Sequence, residues 1–294
     1  MYNSVVIDAM NLAFRSWWNV RSLKTSLGVH SGLEFGFIKN FLYNIRDHYP
    51  AKIILAWDGK PKKGLDLSQD YKANRDKSVL LEEPPWGPRL KKIKDLLSEL
   101  VLTLYHPETE ADEQIARWVF QEESKGNKTL IISNDRDLYQ LVTNNTHIKT
   151  KGKQEDRIIT VQEVKDEWGV DPRRLPLLRS ISGDSSDNIK GVPRISTSTK
   201  QGLVNRLSSN SIDELINLID SSPLPTLKER EKLIAGKELI NRNFKMMDLF
   251  SQVEEPTIYG VLKGDLDQIK LFCQELELKS LVDRGEWELI KSKD

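Results

Sequence analysis

Five short segments of this 294-residue chain carry carboxylates out of apolar or turn-forming surroundings: Ile7-Asp8, Trp57-Asp58-Gly59, Glu110-Ala111-Asp112-Glu113, Asn134-Asp135-Arg136-Asp137 and Gly183-Asp184-Ser185-Ser186-Asp187-Asn188. Gathered in one cleft, these acids would repel one another, shift their pKa values or destabilise the fold unless divalent cations neutralised them. The pattern therefore points to a two-metal site.

The elements that must position these acids are legible as hydrophobic patterns. Ser4 to Ile7, Lys52 to Trp57 and Thr129 to Ile132 are apolar, β-prone runs, each ending at or just before a carboxylate. Ser31-Gly32-Leu33-Glu34 has a capping-box pattern, and Leu33, Phe37, Phe41 and Ile45 recur every four residues, which predicts a helix crossing back over a sheet. Strands alternating with helices predict a parallel sheet whose ligand site lies outside the carboxyl ends of the strands, where Asp8, Asp58 and Asp135 fall. A further strand is expected over Val101 to Tyr105 and a helix over Glu110 to Phe120. In that helix Glu110 and Glu113 share a face and Asp112 is rotated away. Acids in a first turn also suit the helix dipole, so this cluster alone does not separate capping from metal ligation.

Beyond Thr160 the pattern changes to short helices over 161–168, 174–182, 199–207, 212–218 and 226–240, separated by Pro, Gly and Ser clusters. The expected organisation is a sheet domain over 1–160 and a mainly helical region over 161–294. The stretch 259–294, with a helix-like pattern over Leu266 to Leu281, carries no assignable role.

Charge becomes informative once partitioned. Lys plus Arg equals Asp plus Glu at 44 each, but setting aside Asp8, Asp58, Glu110, Asp112, Asp135, Asp137, Asp184 and Asp187 leaves 44 basic residues against 36 acidic. The span Lys60 to Lys94 holds ten Lys or Arg against five acids. An acidic pocket beside a basic segment is what metal-assisted chemistry on a phosphodiester requires. Cys273 is the single cysteine, which excludes an internal disulfide and a cysteine-based zinc site and suits a reducing compartment. No run approaches the length of a membrane span, so a cytoplasmic protein without a membrane partner is expected.

Val6-Ile7-Asp8-Ala9-Met10-Asn11-Leu12, Ala56-Trp57-Asp58-Gly59, Tyr71-Lys72-Ala73-Asn74-Arg75, Glu110-Ala111-Asp112, Asn134-Asp135-Arg136-Asp137-Leu138-Tyr139-Gln140-Leu141 and Gly183-Asp184-Ser185-Ser186-Asp187-Asn188-Ile189 stand in the order seen in 5′ nucleases. Over roughly residues 4–205 the chain resembles the bacterial and bacteriophage flap endonucleases and the 5′ nuclease domain of bacterial DNA polymerase I. Each motif is weak alone; the ordered set is specific.

The resemblance implies an α/β fold: a PIN-like, mainly parallel sheet flanked by helices, with a helical arch over about 60–94 and a helix-hairpin-helix-type module over about 180–207. It assigns Asp8, Asp58, Glu110, Asp112 and Asp135 to a first metal and its waters, and Asp137, Asp184 and Asp187 to a second, more loosely held one. Glu113 stands where the pattern usually has Asp and is left out of the ligand set. The implied cofactor is a pair of Mg²⁺ ions, with Mn²⁺ a plausible substitute. Mg²⁺ prefers octahedral oxygen ligands and keeps several waters, so carboxylates from separate segments can share it. Two ions about 4 Å apart activate a water on one side of a scissile phosphate and stabilise the leaving oxygen on the other.

Lys72 and Arg75 match basic residues at the arch base that hold the scissile phosphate, and Tyr71 is placed to stack on an unpaired base. Arg15 and Lys24 are candidate backbone contacts, and Trp17 and Trp18 are divided between base stacking and core packing. The family pattern Gly-Val-Pro-Gly-Ile-Gly reads Gly191-Val192-Pro193-Arg194-Ile195-Ser196 here. A Cβ at each replaced glycine obstructs close backbone approach, which leaves potassium (K⁺) binding open and offers Arg194 as a direct phosphate contact.

The expected function is a Mg²⁺-dependent, monomeric 5′ flap endonuclease and 5′-3′ exonuclease acting in DNA replication or repair on DNA with a 5′ flap, nick or 5′ end. A nuclease of the same family that removes RNA primers from RNA-DNA hybrids is the first alternative. A non-catalytic branched-DNA binding protein is the second, and a PIN-type ribonuclease ranks lower because it lacks the arch and Gly-Asp-Ser-Ser-Asp motifs.

Overall fold

The computed structural model describes residues 1–49, 51–74, 78–81, 85–152, 155–221, 227–251 and 255–291. Val5, Val6 and Ile7 of β1 (Ser4–Asp8) are fully buried, as a strand sandwiched between helices must be. The chain continues through α1 (Ala9–Trp17), α2 (Gly32–His48), β2 (Lys52–Ala56), α3 (Lys62–Leu67), α4 (Trp86–Leu97), β3 (Leu102–Leu104), α5 (Ala111–Ser124), β4 (Thr129–Ile132), β5 (Thr146–Lys151) and β6 (Asp156–Ile159). The sheet order is β6-β5-β4-β1-β2-β3-β9, where β9 (Ile258–Tyr259) comes from far along the chain. The pairs β5/β4, β4/β1, β1/β2 and β2/β3 are parallel, and the two edges are antiparallel. The mainly parallel α/β sheet is therefore as expected.

Helices cover both faces. One core joins α1, α2 and α4, including the fully buried Phe37, Phe41 and Trp86; burying each such side chain contributes on the order of 1.5–3 kcal/mol. Close approach of α1 and α2 needs Gly36, where a Cβ would lie 2.7 Å from the carbonyl oxygen of Ser16. The expected capping box at Ser31 does not form. Glu34 instead takes both Nε and Nη2 of Arg89 on α4, a buried pair that fixes α4 against α2.

The second core joins α5 to the helices that follow the sheet: α6 (Val161–Trp168), α7 (Leu175–Ser182), α8 (Thr197–Asn205), α9 (Ile212–Ser221), α10 (Leu227–Ala235) and α11 (Lys237–Met247). Between α7 and α8 lies a two-stranded antiparallel ribbon, β7 (Gly183–Asp184) with β8 (Ile189–Lys190). The helix expected over 226–240 is two, broken at Gly236, whose missing Cβ makes room for Val192.

The expected division at residue 160 does not divide the packing. After β9 the chain forms α12 (Asp267–Glu275), α13 (Lys279–Val282) and α14 (Glu286–Lys291), and Leu266, Ile269, Cys273, Leu281 and Trp287 complete the core around α2 and α4. Residues 258–291 thus finish the sheet layer. No helix among the described residues is long and apolar enough to cross a membrane.

Candidate active site

Four strand or helix ends converge at the carboxyl edge of the sheet, and each acid there has a local structural duty. Asp8 caps α1 through Oδ1, which accepts the Asn11 amide at 3.0 Å, while Oδ2 accepts the Ser133 hydroxyl at 2.8 Å. Asp58 Oδ1 accepts the Ala111 amide at 2.7 Å, joining the end of β2 to the start of α5. Asp135 Oδ1 accepts the Asp137 amide at 2.9 Å and caps a 3₁₀ turn over Arg136–Leu141. Each of these local bonds orients a carboxylate that accepts hydrogen bonds and retains lone pairs for a further ligand.

These duties bring the acids into two linked groups. Burial and then Asp58 push the Asp8 carboxyl up to about 7, and burial and then Glu110 raise Asp112 well above the ordinary range, with Asp135 contributing to both. Asp135 thus couples electrostatically to both Asp8 and Asp112. The second group is Asp137, Asp184 and Asp187, each offering an oxygen within 4.8 Å of the others. Burial pushes Asp137 up to about 6. For Asp184 burial acts upward, but the Ser186 hydroxyl and Arg179 hold the carboxyl below its usual value. An all-oxygen donor set whose buried members are pushed toward neutrality fits divalent cations, because a cation reverses that cost.

Two side-chain cations enter the acid groups. Lys72 Nζ donates to Glu110 Oε1 and lies 3.7 Å from Asp187 Oδ2, in contact with both groups. Arg179 donates to Asp137 Oδ1 and Asp184 Oδ2. Lys72 adopts a left-handed φ of 56°, unusual for a residue with a Cβ. Its amide donates to the Asp187 carbonyl at 3.0 Å, Asn188 donates to the Asp70 carbonyl at 2.9 Å, and Asn74 to the Ser185 carbonyl at 2.8 Å. The Tyr-Lys-Ala-Asn and Gly-Asp-Ser-Ser-Asp-Asn motifs, far apart in sequence, are thereby docked.

Tyr71, expected to stack on an unpaired base, is packed within the DNA-free chain. Its ring packs on Gly64 and beside Ile189, Met246 and Met247, leaving it 8% exposed. Its hydroxyl donates to Glu110 Oε2 at 3.1 Å and Asp187 Oδ2 at 3.3 Å. Burial and those acids raise its pKa, so the phenol stays a donor. An amphipathic ring between an apolar floor and two carboxylates satisfies both ends internally, which accounts for its burial.

Glu113 is spent at the start of α5, where Oε2 accepts the Glu110 amide at 3.1 Å. Arg194 is exposed with a φ of 58°, and Ser196 caps α8. Arg75 lies outside the described residues. Arg15 is half-buried beside Lys39 and Lys151 around a cavity of about 200 Å³, Lys24 is exposed, and the tryptophans divide: Trp17 is core and Trp18 is 62% exposed. Among the described residues, the basic span 60–94 is less free than its composition suggests. Arg89 is paired with Glu34, Lys62 with Glu108 and Lys91 with Asp95, and Lys94 is buried between Tyr105 and Tyr259.

Two site residues escape motif reasoning. Ser133 is fully buried between Asp8 and Asp135, and nothing in Ile-Ile-Ser-Asn marks it. Arg179 does leave a signal: it is the only charged residue in Leu-Pro-Leu-Leu-Arg-Ser-Ile-Ser, on a helix that ends at Gly183 just before Asp184.

With this geometry in place, the comparisons with known proteins are specific. The 5′-3′ exonuclease, N-terminal resolvase-like domain family matches residues 3–169. A 5′-3′ exonuclease of Buchnera aphidicola subsp. Acyrthosiphon pisum is 32% identical over 231 residues, 76% of this chain and 78% of that protein. DNA polymerase I of Bacillus subtilis is 26% identical over 285 residues, 95% of this chain. The chain spans about a third of the length of that polymerase, 32%. Among solved structures, the T5 D15 protein co-crystallised with metal ions superposes with a TM-score of 0.68 at 21% identity, covering 97% of this chain and 98% of that one. That likeness shows a shared fold.

Proposed function

The chain belongs to the 5′-3′ exonuclease family, and from that premise we propose that it is a structure-specific 5′ nuclease, hydrolysing phosphodiester bonds in branched DNA with two Mg²⁺ ions. The observation that carries this is the docking of Tyr71 and Lys72 onto Asp187 and Glu110, which sets a basic arch base directly on the acids. In this reading Asp8, Asp58, Glu110, Asp112 and Asp135 hold one ion and Asp137, Asp184 and Asp187 the other. When bound, the ions supply an activated water and charge stabilisation at the phosphate.

The chain's own residues supply the rest. Ser133 orients Asp8 and Asp135, and Asp58 ties the strand end to α5. Lys72, which bridges Glu110 and Asp187, would bind the scissile phosphate beside the residues that would hold the ions. Arg75, so close to it in sequence, belongs with this role by family position. Arg194 is a further phosphate contact for the duplex in this reading. The proposed use of Mg²⁺ rests on the all-carboxylate donor set; Mn²⁺ satisfies the same ligands. The substrates proposed are a 5′ flap, a nick and a free 5′ end, acted on by a monomer.

The test compares cleavage of a labelled 5′ flap, a nicked duplex and an RNA-primed duplex with Mg²⁺, with chelator and after Asp135→Asn. Asparagine retains an oxygen to accept the Asp137 amide, so the substitution removes charge and spares the turn. Metal-dependent cutting lost in the variant is expected. Equal cutting in chelator, or full activity of Asp135→Asn, would sink the two-metal proposal, and preferential cutting of the RNA-primed duplex would move the substrate to hybrids.

A further inference from the structure

Arg179 is the one charged side chain of α7, a helix whose other residues are apolar, serine or proline, and it is only 9% exposed. Its Nη1 donates to Asp137 and its Nη2 to Asp184. The other oxygen of Asp184 accepts both the amide and the hydroxyl of Ser186, at 2.8 and 2.6 Å. Both oxygens of Asp184 are thus engaged, and so is Oδ1 of Asp137. These are two of the three acids whose oxygens cluster within 4.8 Å. The guanidinium therefore takes oxygens that an ion shared by the trio would use. Asp137, Arg179, Asp184 and Ser186, together with Asp135, line an open cleft of about 480 Å³, so solvent ions reach the pair.

We propose that Arg179 is a built-in counter-ion for the second metal position: it holds Asp137 and Asp184 together while no ion is there, and the second ion binds only as Arg179 gives up at least one of the two carboxylates. The proposal rests on the two-metal reading above and deepens it by naming what sets the weaker site's affinity. A guanidinium spreads a single charge over a rigid fork that matches paired carboxylates, whereas a divalent ion concentrates two charges at a point. The exchange therefore favours the ion at sufficient concentration, yet costs the broken charge-assisted bonds each time. Without Arg179 the acids would face one another unneutralised in the ion-free protein. The second site is weakened by its own chain, and the ion-free fold is protected by the same contact.

Arg179→Met retains an unbranched chain and removes the charge; Arg179→Lys retains a charge and removes the fork. The full chain and both variants are titrated with Mn²⁺ by calorimetry, and melted in chelator and in excess Mn²⁺. The weaker site is expected to tighten at least tenfold in Arg179→Met and less in Arg179→Lys. In chelator Arg179→Met melts below wild type, and Mn²⁺ raises its Tm by more than it raises that of wild type. A weaker site of unchanged affinity, with a Tm deficit equal in chelator and in Mn²⁺, would show a merely structural arginine and overturn the proposal. If Arg179→Met does not fold, Arg179→Lys decides, since an unchanged weaker site there is equally contrary. Absence of any second ion from all three proteins would remove the two-metal reading itself, and the proposal with it.

Discussion

The hydroxyl of Ser133 donates to Oδ2 of Asp8 at 2.8 Å and accepts the Asp135 amide at 3.0 Å, so one buried side chain joins the ends of two neighbouring parallel strands where two proposed ligands emerge. That bond lowers the Asp8 carboxyl against the burial that pushes it up to about 7. Ser133→Ala removes the donor and leaves Asp8 more easily protonated. Stability should fall by about 1 kcal/mol, the usual net worth of such a hydrogen bond. Mn²⁺ affinity should drop severalfold at pH 6.5 and much less at pH 8.5, as measured by calorimetry. A deficit independent of pH would argue that Ser133 acts only through packing.

The ion-free protein should lose stability as pH rises. Burial sets the folded carboxyls of Asp8 and Asp137 to about 7 and about 6, from an ordinary 3.8, and raises Asp112 in the same direction. A carboxyl raised in the folded state binds its proton more tightly there than in the unfolded chain, so its contribution is complete below the unfolded value and is lost as pH climbs through the folded one. Asp184, held low by Ser186 and Arg179 against burial, contributes in the opposite sense. The three raised groups prevail, and the window lies between 3.8 and about 7. In chelator the Tm at pH 8 should sit on the order of 5 °C below that at pH 5.5, and millimolar Mg²⁺ should close most of the gap. A chelated Tm that rises steadily over this range would contradict the assignment.

Much of this site is legible because the physics that buries a strand also ends it. Val5 to Ile7, Ile53 to Ala56 and Leu130 to Ile132 are apolar on both faces, and the first polar residue after each stands at the carboxyl edge. What is not legible depends on contacts between distant segments. Glu34 looks like a cap but meets Arg89, Tyr71 looks like a free aromatic but meets Gly64, and residues 258–291, to which the sequence assigns no role, complete the sheet and its core. In each case a local pattern is overridden by a partner no spacing rule supplies. Glu277, with a φ of 56°, likewise follows α12 where an unbroken helix over 266–281 was expected.

Tyr71 tests that override directly. Tyr71→Phe preserves the ring on Gly64 and loses the hydroxyl bonds to Glu110 and Asp187, which should cost about 1 kcal/mol. Tyr71→Ala empties the space between Gly64, Ile189 and the two methionines, which should cost roughly 3–5 kcal/mol. At saturating protein, a fluorescent adenine analogue beside the cut should report the same unpairing with Tyr71→Phe as with wild type. The order of the two melting temperatures is the decisive measurement: equal stability of both variants would mean that the ring does not hold the arch base.

The turn before α8 separates backbone strain from DNA contact. Arg194 has a φ of 58°, a conformation that costs a residue with a Cβ on the order of 1–2 kcal/mol and glycine little. Arg194→Gly should therefore leave the Tm unchanged or raise it, and Arg194→Ala, which retains the Cβ, should not raise it. Both lose the guanidinium, so both should weaken duplex binding and lower its salt slope by about 1. Beside it, the Ser196 amide at the start of α8 donates to Glu229 Oε1 at 2.7 Å, and the Thr199 hydroxyl to Glu229 Oε2 at 3.0 Å. A helix N-terminus favours an anion, and here the chain's own Glu229 carboxylate occupies it. Glu229→Gln removes that charge and should raise duplex affinity severalfold at low salt, most clearly when Arg194 is intact. If Arg194→Gly leaves affinity and salt slope as they were while Glu229→Gln has no effect, the face formed by this turn does not meet the duplex. The grip would then have to come from the arch side of the molecule alone.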